Sequence, residues 1–232
     1  MGRRLTQLGL AALNIDGVLL NDTFSPVIHR FVTTRGGSYT AETERAVFSQ
    51  PQAVAARRLA DAVGGGLSAE QVLAAYFAER DRYLADHPVV VQPGVPELLH
   101  RLRALGLRVV CYGGLPKHHF DTHLGAWAEL FDGPGYVCTD AFRPGLHEIT
   151  TEIFGLRYDR ALFVDDVARV AEEARRLGTA FIGLPSPYEH GHQRELMRAA
   201  GVRHLVDGLD AIDEELLRTV DAEAAAGRVW EA

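Results

Sequence analysis

Four short stretches of this sequence set chemically able side chains at the ends of apolar runs. In residues 8–20, LGLAALNIDGVLL, an uncharged run ends in Asn14, Ile15, Asp16 and Gly17. A carboxylate so placed can carry protons, whereas an amide has the same shape without the charge and is a poor nucleophile. VVCYGGLPK places Tyr112 ahead of Gly113 and Gly114, whose backbone N–H groups can face an anion just before a helix opened by Pro116. TDAFRPGLHEI contributes the guanidinium of Arg143, and ALFVDDVARV ends in the adjacent carboxylates Asp165 and Asp166. Lys117, the only lysine, follows Pro116 and is either a ligand contact at the cleft mouth or an exposed side chain. His118, His119 and His123 come next; His119 and His123 lie four apart on one helix face, a spacing that can chelate a metal. With no acidic or cysteine partner fixed by the sequence, a structural or surface role is the expectation for them.

Elements of two kinds must hold these stretches. Apolar runs at 8–13, 107–112, 136–139, 161–165 and 180–184 read as buried strands of a parallel sheet, with their chemistry at the carboxyl ends, where open α/β sheets bind ligands. Alternate residues of an extended segment point the same way, so Asn14 and Asp16 face one cleft while Ile15 turns into the core. Helices expected at 95–105, 116–124, 146–154 and 167–177 alternate with those strands, and Gly106, Gly125, Gly155 and Gly178 fall at their C-caps. The alternation predicts βαβ units in a doubly wound, Rossmann-like α/β fold. A short strand at 204–206 and a helix at 209–220 complete it.

From 21 to 90 the spacing becomes helical, in AETERAVFSQ, PQAVAARRLADAV and SAEQVLAAYFAERDRYLADH, with Ser68 and Gln71 placed as a capping pair and Gly64, Gly65 and Gly66 as a break. The expected division is an α/β core of 1–20 and 91–232 and an α-helical cap of 21–90. A substrate lid and a mere cover for apolar surface are equally consistent with that cap. Phe24, His29, Arg30, Tyr76 and Tyr83 are the cap-side residues whose facing the sequence leaves open.

In their order and spacing the four stretches resemble the motifs of the haloacid dehalogenase (HAD) superfamily, of the type with a helical cap between the first two motifs. The family's first motif is Asp-x-Asp-Gly, a nucleophile that forms an aspartyl phosphate followed by a general acid and base. The resemblance gives the acid–base role to Asp16 and puts Asn14 at the nucleophile position, where an amide cannot form the covalent bond. Tyr112 and Gly113 stand where the family has Ser or Thr, commonly followed by Asn, to hold phosphoryl oxygens; a phenol reaches too far for that task. Arg143 stands at the family's lysine, keeping the charge but not the compact ammonium. Ligand contacts at Tyr112, Gly113, Gly114 and Arg143 are therefore implied, anionic if Arg143 faces the ligand, against a plainer reading of Arg143 as a solvated loop residue. The fourth motif supplies magnesium ligands, which implies a Mg2+ site at Asp16, Asp165 and Asp166, weakened by the loss of a carboxylate at Asn14.

Three readings stay open. One is an enzyme that has left phosphoryl transfer and uses Asp16 on a small molecule between core and cap. Another is a ligand-binding or scaffold protein without turnover. The third is an ordinary Mg2+-dependent phosphatase in which Asn14 is an engineered change or a water takes over the attack. The chain of 232 residues, 47% hydrophobic and 24% charged, can bury a full core and is not disordered. A net charge of −7 without a basic run argues against nucleic acid or an anionic membrane as partner. The arginines and apolar run at the start break at Asn14 without a cleavage-site pattern, so they read as the first strand rather than a secretory signal. Two cysteines, Cys111 and Cys138, make neither a disulfide framework nor a zinc signature, which suggests a reducing cytoplasm. The composition suits a monomer or a dimer equally.

Overall fold

The computed structural model describes residues 4–231. Its six strands are β1 (Leu10–Asn14), β2 (Arg108–Gly113), β3 (Tyr136–Cys138), β4 (Ala161–Asp165), β5 (Ala180–Gly183) and β6 (His204–Leu205), in one sheet of order β3-β2-β1-β4-β5-β6. All neighbouring strands are parallel. The order reverses direction at β1, so a crevice opens at the carboxyl ends of β1, β2 and β4, where Asn14, Tyr112 and Asp165 sit.

The continuous apolar runs follow from burial on both faces of the sheet. Along β1 the side chains alternate between two cores. Ala11 and Leu13 join Val109 and Cys111 under helices α5 (Val95–Ala104) and α9 (Glu214–Ala225), while Leu10 and Ala12 join Val110, Tyr112 and Phe163 under α7 (Ala168–Leu177). Two further helices, α6 (Lys117–Leu124) after β2 and α8 (Gln193–Ala200) after β5, and the helical insertion complete the description. Among the described residues no helix is long and apolar enough to cross a membrane.

The insertion follows β1 and comprises α1 (Ser25–Thr33), α2 (Ala41–Val47), α3 (Gln52–Ala62) and α4 (Ala69–Asp86). Ser68 and Gln71 form the reciprocal capping box that starts α4, at 3.2 and 2.9 Å. Phe31, Leu59, Val72 and Tyr76 bury the inner faces of these helices against one another and the sheet. The insertion leaves and rejoins the core at one place: Asn21 N donates to Val90 O at 3.0 Å, Val90 N to Asn21 Oδ1 at 2.8 Å and Gln92 N to Leu19 O at 2.9 Å.

Three expectations change. The last helix starts at Glu214 rather than 209, because Asp213 caps it by accepting from Leu216 N at 2.8 Å, and Leu209–Ala211 forms only a short 3-10 turn. Residues 146–154 form little more than the π-helical turn Glu148–Ile153, crowded by β-branched Ile149, Thr150 and Thr151 and ended by Gly155 at φ +62°. Gly125 is right-handed and leads into a 3-10 turn instead of capping α6. Helix α8, which the sequence analysis did not identify, buries Met197 and ends at left-handed Gly201.

The start of β1 is anchored from the far end of the chain. Asp221 of α9, 7% exposed, accepts from Thr6 N, Gln7 N and Leu8 N at 3.0, 3.0 and 2.7 Å. Removing a carboxylate that satisfies several backbone donors costs about 3 kcal/mol. Asp221→Ala is therefore expected to lower unfolding stability by about that amount, measured by urea titration; a change within error would show that the strand entry needs no such anchor.

Candidate active site

Asn14 is the last residue of β1, and the chain turns immediately after it at Gly17, φ +88°. A side chain at Gly17 would meet both an unfavourable backbone conformation and the Asp166 carboxylate, so glycine is what lets the β1 loop approach β4. Asn14 Nδ2 lies 2.8 Å from the Asp16 carbonyl oxygen and 2.8 Å from Asp166 Oδ1. A carbonyl only accepts, so the amide must turn its NH2 toward this pair. Both amide hydrogens are thereby used, one on each oxygen.

Asp165 and Asp166 end β4 and start the turn into α7. Neighbouring residues of extended chain diverge, and here they take different partners. Asp165, fully buried, accepts from Val167 N at 2.8 Å and from the Tyr112 hydroxyl. Asp166 turns to Asn14 and the cavity. Burial pushes the carboxyl pKa of both residues up, and the charge of Asp165 raises that of Asp166 further. Burial also holds the Tyr112 phenol protonated, well above its ordinary value, with Asp165 adding to the shift.

These contacts bear on the Mg2+ site that the resemblance implies. The Asp16 carbonyl and Asp166 carboxylate, two of its expected oxygens, are bridged by an N–H donor, and Asp165 is spent on Tyr112 and Val167. Among the described residues no group of three or more His, Cys, Asp or Glu is arranged to hold a metal ion. The donor set as arranged does not fit Mg2+, whose ligands must all present oxygen lone pairs.

His119, in the first turn of α6, reaches Asp16: Nε2 is 2.9 Å from Oδ1, with both side chains largely buried. His123 packs edge-on against His119 at 4.9 Å, and burial followed by the neighbouring His119 lowers its pKa. The expectation of a structural or surface role for His119 is thus incomplete, since its partner lies on another strand end. The sequence carried only one signal for it, a histidine one turn into the helix after the second strand.

A cavity of about 140 Å³ lies over this end of the sheet and under the insertion. Its floor includes Asn14, Asp16, Gly114, Arg143 and Asp166, and its cap-side wall includes Phe24, Phe48, Leu59, Leu73, Tyr76 and Phe77. Of the candidate site residues in the four motif stretches, four stand outside that lining. Tyr112 and Asp165 occupy each other beneath it; Gly113 packs against Ile15 and Tyr136, where a Cβ has no room; Lys117 is exposed, paired with Asp121. Of the open cap-side residues, Phe24 and Tyr76 face the cavity, His29 bonds Tyr188, Arg30 pairs with Glu79 and Tyr83 stacks on His87.

The insertion is fastened down over the cavity. Arg143 Nη1 donates to Ser49 Oγ at 3.3 Å, and the same guanidinium lies against Gly114, where a Cβ would have to push it aside. Gln52 donates from its backbone to Asp140 Oδ1 at 2.8 Å and from its side chain to Gly114 O at 3.3 Å. Fully buried Glu44 of α2 accepts from Tyr39, His192 N and Gln193 Nε2 at 2.7, 2.9 and 2.8 Å, and Gln193 Oε1 accepts from Ala168 N at 2.7 Å at the start of α7.

The raised carboxyl pKa values have a signed consequence. A carboxyl whose folded pKa exceeds its ordinary 3.8 favours folding below that value, and this contribution is lost as pH rises through the folded pKa. Asp166→Asn keeps the oxygen that accepts from Asn14 and removes the ionisation. The melting temperature of this variant minus that of the parent should therefore grow as pH rises from about 4 toward neutrality, followed by calorimetry; a constant difference would mean that Asp166 is not held protonated.

No family model matches this sequence, and no curated protein matches it. Solved structures do. The phosphonoacetaldehyde hydrolase-like protein of Oleispira antarctica aligns over 98% of this chain and 97% of its own, at TM-score 0.69 and 16% identity. A HAD hydrolase of family IA, variant 3, from Entamoeba histolytica aligns over 93% and 100% at TM-score 0.68 and 12% identity, and β-phosphoglucomutase of Clostridium difficile over 94% and 99% at TM-score 0.63 and 14% identity. The all-parallel sheet, its switch point at β1 and the helical insertion behind that strand, together with these alignments, give this chain the haloacid dehalogenase fold.

Proposed function

We propose that this chain performs general acid–base chemistry on a small molecule held between the core and the insertion, without an aspartyl-phosphate intermediate and without a divalent metal. The observation that carries this reading is the Asn14 amide, which takes the nucleophile's position and donates to two oxygens that would otherwise face a cation. Asp16 is the catalytic group, since it lines the cavity. His119 stands behind it as a positioning residue: its Nε2 fixes Asp16 Oδ1, and its ring can pass a proton to or from that carboxylate. Tyr112 and Asp165 satisfy each other and take no direct part. Arg143 orients polar groups at the cavity floor.

A second reading, a binding protein without turnover, draws on the number of contacts that fasten the insertion over the cavity. Turnover separates the two once a substrate is in hand: Asp16→Asn should abolish it with folding intact, and His119→Gln should reduce it while shifting its pH profile. Unchanged turnover in Asp16→Asn would remove Asp16 from the chemistry.

Hydrolysis of 4-nitrophenyl phosphate with Mg2+, run on the parent and on Asn14→Asp, tests the loss of phosphoryl transfer. Both are expected to be inactive, because Tyr112 and the Arg143–Ser49 contact remain. Millimolar Mg2+ should leave the parent's melting temperature unchanged. A working Asn14→Asp enzyme would restore the phosphatase reading.

A further inference from the structure

Two polar atoms around the cavity lack any partner. Tyr76, 5% exposed, lines the cavity, and its hydroxyl has no hydrogen bond among the described residues. Asp22 lines it too, and its Oδ2 is shut off from solvent and likewise unpartnered. The Asp22 carboxylate is held in place from its other side, where Oδ1 accepts from Phe24 N and Ser25 N at 2.9 Å each, opening α1. The buried Arg80 guanidinium lies near Tyr76 but donates to Thr23 Oγ1 at 3.0 Å, so the carboxylate oxygen and the phenol stay without a hydrogen bond, which is costly and is satisfied by a donor.

The charge around the cavity specifies the donor further. Asp16, Asp22, Asp140 and Asp166 line it, against Arg143 as the one cationic side chain among the described lining residues. Arg143 is already directed to Ser49, and Asp140 to the backbone of Gln52. An anionic head would face the carboxylates of Asp16 and Asp22, and a metal ion would find the Asp16 carbonyl and Asp166 Oδ1 bridged by the Asn14 amide. A positively charged organic group meets neither obstacle. The remaining wall, including Phe48, Ala56, Leu59, Leu73 and Phe77, is apolar. A cavity of about 140 Å³ compares with the roughly 150 Å³ at which an apolar cavity admits benzene.

We propose that the cavity binds a small hydrophobic amine, its ammonium donating to Asp22 Oδ2 and the Tyr76 oxygen beside Asp16 and its hydrocarbon or aromatic body lying against the cap-side apolar wall. This names the substrate class for the acid–base reading and rests on it for the identity of the site.

The probes are benzylamine, benzyl alcohol, benzoate and phenyl phosphate, titrated calorimetrically into the full chain at neutral pH. Benzylamine is expected to bind about tenfold or more tighter than benzyl alcohol, with the two anions unbound. Asp22→Asn, which keeps Oδ1 for the helix start, and Tyr76→Phe should each weaken benzylamine about tenfold with melting temperatures equal to or above the parent's. Equal binding of amine and alcohol, tighter binding of an anion that Arg143→Gln abolishes, or no binding by any probe would overturn the proposal. Failure of the acid–base reading is read elsewhere: phosphatase turnover by the parent would sink it whatever the titrations give, while absent amine binding in a phosphatase-inactive chain sinks the amine alone.

Discussion

One side-chain nitrogen, Asn14 Nδ2, joins the carboxyl ends of the two central strands. It ties the loop after β1, through the Asp16 carbonyl, to the start of the β4 turn, through Asp166. A doubly charged cation bridging the same oxygens would draw the neighbouring carboxyls into their ionised form. A neutral amide offers two hydrogen bonds and no net charge. Burial raises the carboxyl pKa of both acids, the charge of Asp165 adds to the shift at Asp166, and Tyr112 sits against Asp165 as a neutral donor. Asn14 and Tyr112 are in this sense one arrangement: the amide bridges the two strand ends, and the phenol fills the space beneath them against Asp165.

Above that floor, the insertion is attached at several independent points. Ser49 and Gln52 reach Arg143, Gly114 and Asp140 on one side, and Glu44 reaches Gln193 and His192 on the other. Gln193 in turn caps the N–H of Ala168 behind Asp166, so a displacement of α2 is felt at the turn that carries this carboxyl. Cap position and site geometry are coupled through buried hydrogen bonds, which resist partial breakage more than exposed ones do.

The strands were legible because burial on both faces demands uninterrupted apolar residues, a pattern that survives in one dimension at residues 8–13, 107–112 and 161–165. The period of two also placed Asn14 and Asp16 on one side and Ile15 in the core. What escaped was set by contacts between distant parts of the chain. His119 looks like any helical histidine until α6 brings it to Asp16, 103 positions away in sequence. Asp165 and Asp166 are equivalent as a dipeptide, and only the pleat of β4 sends one to Tyr112 and the other to the cavity. Helix α8 is only eight residues long, below what periodicity separates from a loop, and its burial rests on Met197. Among the cap residues, Phe24 and Tyr76 could be told from His29 and Tyr83 only once the helices were packed.

The paired strands of chain at Asn21 and Val90 put the two ends of the insertion one hydrogen bond apart. The cap-side apolar residues of the cavity from Phe24 to Phe77 are thus carried on a segment that leaves and rejoins the chain at a single junction, its other ties to the core being hydrogen bonds. Such a segment behaves as a cassette, because inserted units whose ends meet are accepted by a host fold without redrawing its connections. Recombination across that junction would exchange the cap-side apolar residues in one step while the chain that carries Asn14, Asp16 and Asp166 is kept. In a chain so divided, what is recognised and what is done to it can change on separate evolutionary clocks.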